Sequence, residues 1–186
     1  PMLYWALDSL SAHIPLDQAV FVCLHEHVEQ YPVAQTIRRY CDSARLVVLR
    51  EKSLGQAHSV LLAESAITMD EPIIIFNCDT VLRTDKLPHQ MIGKDGYLSV
   101  FSSIKPQYSY IETDSAGTVV RVTEKKVISP FASTGLYQFN RADLFVRAAE
   151  DAILHGRKVK GEYYIAPLYM DLITQGYQFG VHMANE

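Results

Sequence analysis

Residues 72–80 read "PIIIFNCDT", and this stretch limits the fold more than any other. Three isoleucines and a phenylalanine follow one another without a polar break, the pattern of a short strand covered on both faces. Such a strand belongs inside a sheet with helices on either side. The run then ends in Asn77, Cys78 and Asp79, so a carboxylate stands at the strand's carboxyl end. In open α/β sheets that is the edge where ligands bind. Asp79 alone fits two roles. It can cap the segment that follows, or it can hold Mg²⁺, which takes one or two carboxylates together with phosphate oxygens.

The surrounding periodicity predicts alternating elements. Leu3, Trp5, Ala6, Leu7 and Leu10 mark one face of a helix, "AVFVCL" (19–24) a strand, and residues 29–40 a polar helix. "ARLVVL" (44–49) is a second strand. After a break at Ser53, Leu54 and Gly55, a helix is expected over 56–67. The alternation implies an α/β fold, a mixed and mostly parallel sheet with right-handed crossovers and flanking helices. Beyond Asp79 the pattern changes. "GYLSVFSS", "YSYIETD" and "GTVVRVTEK" are extended runs, with "DSAG" as a hairpin turn between the last two. "STGLYQFN" is another strand and "RADLFVRAAEDAILHG" a helix closed by Gly156. "YIAPLYMDLITQG" is a helix with Pro167 in its first turn, and "YQFGVHM" a final strand.

Composition narrows the function classes. With 186 residues, of which 48% are hydrophobic and 20% charged, a single folded domain over 1–186 is expected. A net charge of −4 argues against a broad nucleic-acid-binding face, although one basic pocket for a phosphate remains compatible with it. No apolar run is long enough to span a bilayer. Cys23, Cys41 and Cys78 lack zinc-type spacing, and their odd number suits a reducing compartment, so a cytoplasmic address is expected. The chain opens on Pro1 and runs at once into a helical pattern, from which we expect sequence to be missing upstream.

Three further features can carry chemistry. Gly55, before a helix, permits close backbone approach, and the helix start offers N–H groups to an anion or a base edge. The bland alternative is a simple turn. Glu124 and Lys125 are adjacent in "VTEKKVIS". They are either a solvated surface pair or, in a pocket, a hydroxyl acceptor beside a phosphate partner. Gly135, inside the strand "ASTGLYQF", marks a place where a ligand or another backbone passes closely.

In this order the segments resemble the sugar-phosphate nucleotidyltransferases, the NDP-sugar pyrophosphorylases with a GT-A-like, Rossmann-related fold. "SLGQAHSVLLA" is similar to that family's base-binding segment, and "IIIFNCDT" to the strand that ends in its metal-binding aspartate. "EKK" followed by "STGLYQF" is similar to its Glu-Lys motif and Gly-Leu/Ile-Tyr strand, and "GEYYIAPLYMDLITQG" to its Glu-Tyr-Tyr helix start. The likeness covers nearly the whole chain. It implies an NTP and a phosphorylated sugar as substrates, with pyrophosphate released. Leu54, Gly55, Gln56, Asn77 and Cys78 would bind the nucleotide, and Glu124, Lys125 and Gly135 the sugar phosphate. Asp79 would hold Mg²⁺, and Asp79 and Lys125 would be catalytic.

Two of the family's elements have no counterpart in this sequence. One is the Gly-x-Gly-x-Arg loop that cradles a triphosphate, which would lie before Pro1. The other is a second metal ligand, for which "HMANE" gives no clear replacement. We therefore expect a domain truncated at both ends. Two rivals stay open: a non-catalytic sugar- or nucleotide-binding remnant, and a GT-A glycosyltransferase, whose usual Asp-x-Asp reads Asn-Cys-Asp here. The base and the sugar stay open as well.

Overall fold

A computed structural model of the chain describes residues 1–185. The first half alternates helix and strand: α1 (Met2–Ser11), β1 (Val20–Leu24), α2 (His25–Gln30), α3 (Val33–Tyr40), β2 (Arg45–Leu49), α4 (Gln56–Leu61) and β3 (Ile73–Phe76). The polar helix expected over 29–40 is two helices. Pro32 has no N–H to donate and pushes Tyr31 out of the helical region, which breaks the run. The helix expected over 56–67 stops at Leu61, and a separate 3₁₀ turn spans Glu64–Ala66.

The second half is strand-rich: β4 (Gly96–Ser102), β5 (Ser109–Thr113), β6 (Val119–Glu124) and β7 (Phe131–Phe139), then α5 (Ala142–Leu154), α6 (Ala166–Thr174) and β8 (Phe179–Met183). The class is mixed α/β, with a central sheet and flanking helices, as the sequence implied. Its ladders, however, are parallel only at β1–β2 and β4–β8; β3–β7, β4–β7, β5–β6 and β5–β7 are antiparallel. The expectation of a mostly parallel sheet is corrected here. A short turn at Asp114–Gly117 joins β5 to β6, and strands so joined can only run against each other.

The six-stranded sheet has the order β6-β5-β7-β4-β8, with β3 also paired to β7. One face of β3 sends Ile73 and Ile75 into the main core, and the other sends Ile74 and Phe76 into a smaller one around Leu82, Leu87 and Tyr97. The unbroken apolar run thus has a direct cause: both faces are packed, although among the described residues β3 pairs with β7 alone and Ile73, Ile74 and Phe76 are half-buried, so it is not the inner strand expected. In the main core α5 and α6 lie on the sheet, where Tyr169 stacks on Phe139 at 4.6 Å and meets Phe179 edge-on. The Tyr169 hydroxyl donates to the carbonyls of Tyr97 and Gln138, which ties α6 to β4 and β7.

β7 is the strand that makes room for a site. Along one edge it pairs with β5 at Phe131 and Ala132 and with β3 from Leu136 onward. Residues 133–135 lie between, with no ladder partner on that edge, and the chain leaving β3 turns into this opening.

Candidate functional site

A cavity of about 990 Å³ occupies that opening. One wall is the loop after β3, with Asn77, Cys78, Asp79 and Arg83; the facing wall is built on strands, with Ser109, Glu124, Lys125, Ser133, Gly135 and Tyr137. Gln56 enters from the start of α4, Glu162 and Tyr164 from the segment before α6, and Asn185 from the end of β8.

The loop wall is anchored behind and free in front. Leu82 is buried, its N–H donates to Ser9 Oγ at 3.1 Å, and the Arg83 carbonyl accepts from the Asn185 N–H at 2.7 Å. Asp79 itself is exposed, and no described cation pairs with its carboxylate. Asn185 uses Nδ2 to donate to Asp85 at 3.1 Å, which leaves Oδ1 as a hard oxygen donor in the same cavity. Among the described residues no group of three or more His, Cys, Asp and Glu is placed to hold a metal. Asp79 and Asn185 line the same cavity, and one carboxylate completed by substrate phosphates is a donor set that Mg²⁺ accepts. Desolvation first, and then the neighbouring Asp79 charge, push the Cys78 thiol up, although the residue as a whole is exposed.

The strand wall is fixed by hydrogen bonds. The β5–β6 register sets Ser109 opposite Glu124, and Ser109 Oγ donates to Glu124 Oε2 at 2.5 Å. Burial raises the Glu124 carboxyl above the ordinary carboxylate range; Ser109, Lys125 and Lys160 pull against that shift. Behind it the Tyr137 phenol is buried and held protonated by desolvation. Lys125 takes the left-handed conformation (φ +55°), with its N–H donating to the Tyr108 carbonyl at 3.0 Å. Its ammonium donates to the Tyr164 hydroxyl, which holds it above the usual lysine range. Tyr108 itself lines the cavity edge-on to Phe101.

Gly135 joins the two walls. Its φ is +87°, and a Cβ there would lie 2.5 Å from Asn77 Nδ2. The close approach expected at this glycine is therefore a side chain of the facing wall. Asn77 Oδ1 in turn accepts from Gln56 Nε2.

Of the residues singled out from sequence, Gln56, Asn77, Cys78, Asp79, Glu124, Lys125 and Gly135 line the one cavity, whereas Leu54 and Gly55 do not. The backbone that passes close to Gly55 is that of Tyr163: a Cβ on Gly55 would lie 2.6 Å from Tyr163 N and O. Tyr163 donates to the Leu54 carbonyl and accepts from the Ala57 N–H, so that helix start is already engaged. The Leu54 N–H goes to His58 Nδ1 at 2.9 Å. Arg83, Ser109 and Asn185 line the cavity without a sequence signal that singles them out, and Tyr164 comes from the Glu-Tyr-Tyr stretch, to which the sequence assigns no role.

The nucleotidyl transferase family profile matches residues 1–179. The bifunctional protein GlmU of Desulfotalea psychrophila is 27% identical over 192 residues, covering 96% of this chain and 53% of its own. The chain thus spans about half the length of that relative. A nucleoside-diphosphate-sugar pyrophosphorylase from Vibrio cholerae superposes with a TM-score of 0.77 at 26% identity, covering 98% of this chain and 79% of that one. A putative glucose-1-phosphate thymidylyltransferase from Bacillus anthracis, in complex with a sucrose, shares the fold: TM-score 0.74, 17% identity, and coverage of 100% and 74%.

Proposed function

The chain belongs to the nucleotidyl transferase family, and on that premise we propose that it transfers a nucleotidyl group from an NTP to a phosphorylated sugar. The observation that carries this reading is the pair of facing walls: a free carboxylate on the loop side, and a hydroxyl acceptor beside a cation on the strand side. A phosphate oxygen of the sugar phosphate forms a bond to the α-phosphorus of the NTP, the bond to the β-phosphate oxygen breaks, and pyrophosphate leaves. The attacking phosphate is already nucleophilic, so positioning and charge neutralisation supply the catalysis.

Asp79, with Asn185 Oδ1 beside the same cavity, would hold Mg²⁺. The bound ion supplies charge neutralisation at phosphate oxygens. Lys125 meets the acceptor phosphate, and Glu124 accepts from a sugar hydroxyl at the oxygen that Ser109 leaves free. Gln56, whose Nε2 is engaged by Asn77, offers its Oε1 to the base, and the tie to Asn77 orients it. Free thiols at Cys23, Cys41 and Cys78 and the need for NTP support a cytoplasmic setting; no helix of the described residues is long and apolar enough to cross a membrane.

The test is pyrophosphate release by the full chain with Mg²⁺, each of the common NTPs, and a set of hexose 1-phosphates. Release that needs both substrates is expected for at least one pair. No release from any pair contradicts the reading.

A further inference from the structure

Lys125 is held unusually for a cation with carboxylates nearby. Glu124 is its chain neighbour, and Glu162 lies close enough for its charge to act on it. Yet Lys125 forms no ion pair among the described residues. Its Nζ donates instead to the Tyr164 hydroxyl at 2.5 Å and lies 4.5 Å from the centre of the Tyr164 ring. The backbone agrees with this arrangement. A left-handed conformation is strained for a residue other than glycine, and the bond from the Lys125 N–H to the Tyr108 carbonyl holds it there.

Tyr164 has little freedom of its own. On one side Tyr163 is hydrogen-bonded to Leu54 and Ala57, and on the other Ile165 is fully buried at the start of α6. A phenol so fixed gives the ammonium a direction without neutralising it. Two ammonium protons and the full positive charge remain for an anion, whereas a carboxylate partner would compete with a phosphate for both.

We propose that Tyr164 is a positioning residue that acts through Lys125, holding the ammonium where the acceptor's phosphate binds. This rests on the reading above that Lys125 meets that phosphate. The experiment is a double-mutant cycle with Tyr164→Phe, Lys125→Met and the pair. Tyr164→Phe keeps the ring and the packing, and loses only the hydroxyl. Its KM for the sugar phosphate is expected to rise about tenfold, with KM for the NTP unchanged and the melting temperature within about a degree. In the Lys125→Met background the same change is expected to add less than about twofold. A full Tyr164→Phe effect without Lys125, or an equal rise in the KM for the NTP, overturns the proposal.

Should the wild-type chain turn over no substrate pair, the functional reading fails, and the proposal is read from binding of inorganic phosphate, followed through the Lys125 side-chain NMR signal. A saturable shift that weakens about tenfold in Tyr164→Phe supports it. Equal phosphate affinity in the two proteins overturns it.

Discussion

Asp79 and Glu124 face the same cavity, yet they are built by opposite means. Asp79 stands exposed on a loop, with no described cation beside it and a long 3.4 Å hydrogen bond from the Thr80 hydroxyl to Oδ1. Glu124 is half-buried at the end of a strand, with Ser109 donating to one oxygen and burial holding its carboxyl above the ordinary range. A free carboxylate can join a coordination shell whose other members arrive with the substrate. A fixed one presents a single oxygen in a set direction, which is what recognition of a neutral hydroxyl requires. The proposed function thus divides the substrates between the walls: the metal and the nucleotide's phosphates on the loop, and the acceptor on the strands, its hydroxyl at Glu124 and its phosphate at Lys125.

Substitutions sharpen or break this division. The largest effect is expected for Asp79→Ala, which should lower turnover on the order of a thousandfold or more. Because Asp79 is exposed, stability should change by less than about 0.5 kcal/mol. A pyrophosphate-release assay beside a thermal melt checks both, and retained turnover would end the loop wall's role.

Gly135→Ala comes next, because it carries a strand-wall change into the loop wall. The left-handed backbone costs about 1–2 kcal/mol of stability, and the new Cβ displaces Asn77 and with it Gln56. The KM for the NTP is expected to rise roughly tenfold. An unchanged NTP KM would mean that the Asn77 tie carries nothing to the nucleotide.

Glu124→Gln should raise the KM for the sugar phosphate roughly tenfold with little change for the NTP. It should also stabilise the fold at neutral pH. The folded Glu124 value lies above the unfolded one, so the ionised group costs stability at pH above the folded value. That cost fades as both states become protonated, so the gain in melting temperature should close as the pH falls toward about 4. A gain that grows on acidification would reverse the assigned sign.

The smallest effect is expected for Leu54→Ala. Its side chain is exposed and outside the cavity, and both KM values should stay within about twofold. A larger loss in the NTP KM alone would extend the nucleotide's contacts to this loop.

Much of the site was legible where local pattern and chemistry coincide. An apolar run that ends abruptly in Asp79 is a strand leaving its sheet, and the structure has it so, although Ile75 is its one buried residue and, among the described residues, β3 pairs with β7 alone. Gly135 in the middle of a strand announced a close approach, although the partner, Asn77, is 58 residues away by their numbers and no local pattern names it. The same limit explains Gly55. Its glycine was read as serving a ligand, and it serves the Tyr163 backbone, a contact set by how α6 docks.

Ser109 became visible only through the β5–β6 register, which places it opposite Glu124. Asn185 lies in "HMANE", where the sequence shows no clear metal ligand, and the pairing of β8 with β4 brings it to Arg83. Strand direction was misjudged for a related reason. Alternating helices and strands imply parallel neighbours, but which strands become neighbours is decided by contacts far apart in the chain.

The division between the walls is tested most directly by calorimetric titration of each substrate by itself into two variants. For Asp79→Ala, binding of the NTP with Mg²⁺ is expected to weaken at least tenfold while the sugar phosphate binds as in the wild type. For Glu124→Gln the reverse is expected. If each variant weakens both substrates equally, the two walls act as one site and the division is wrong.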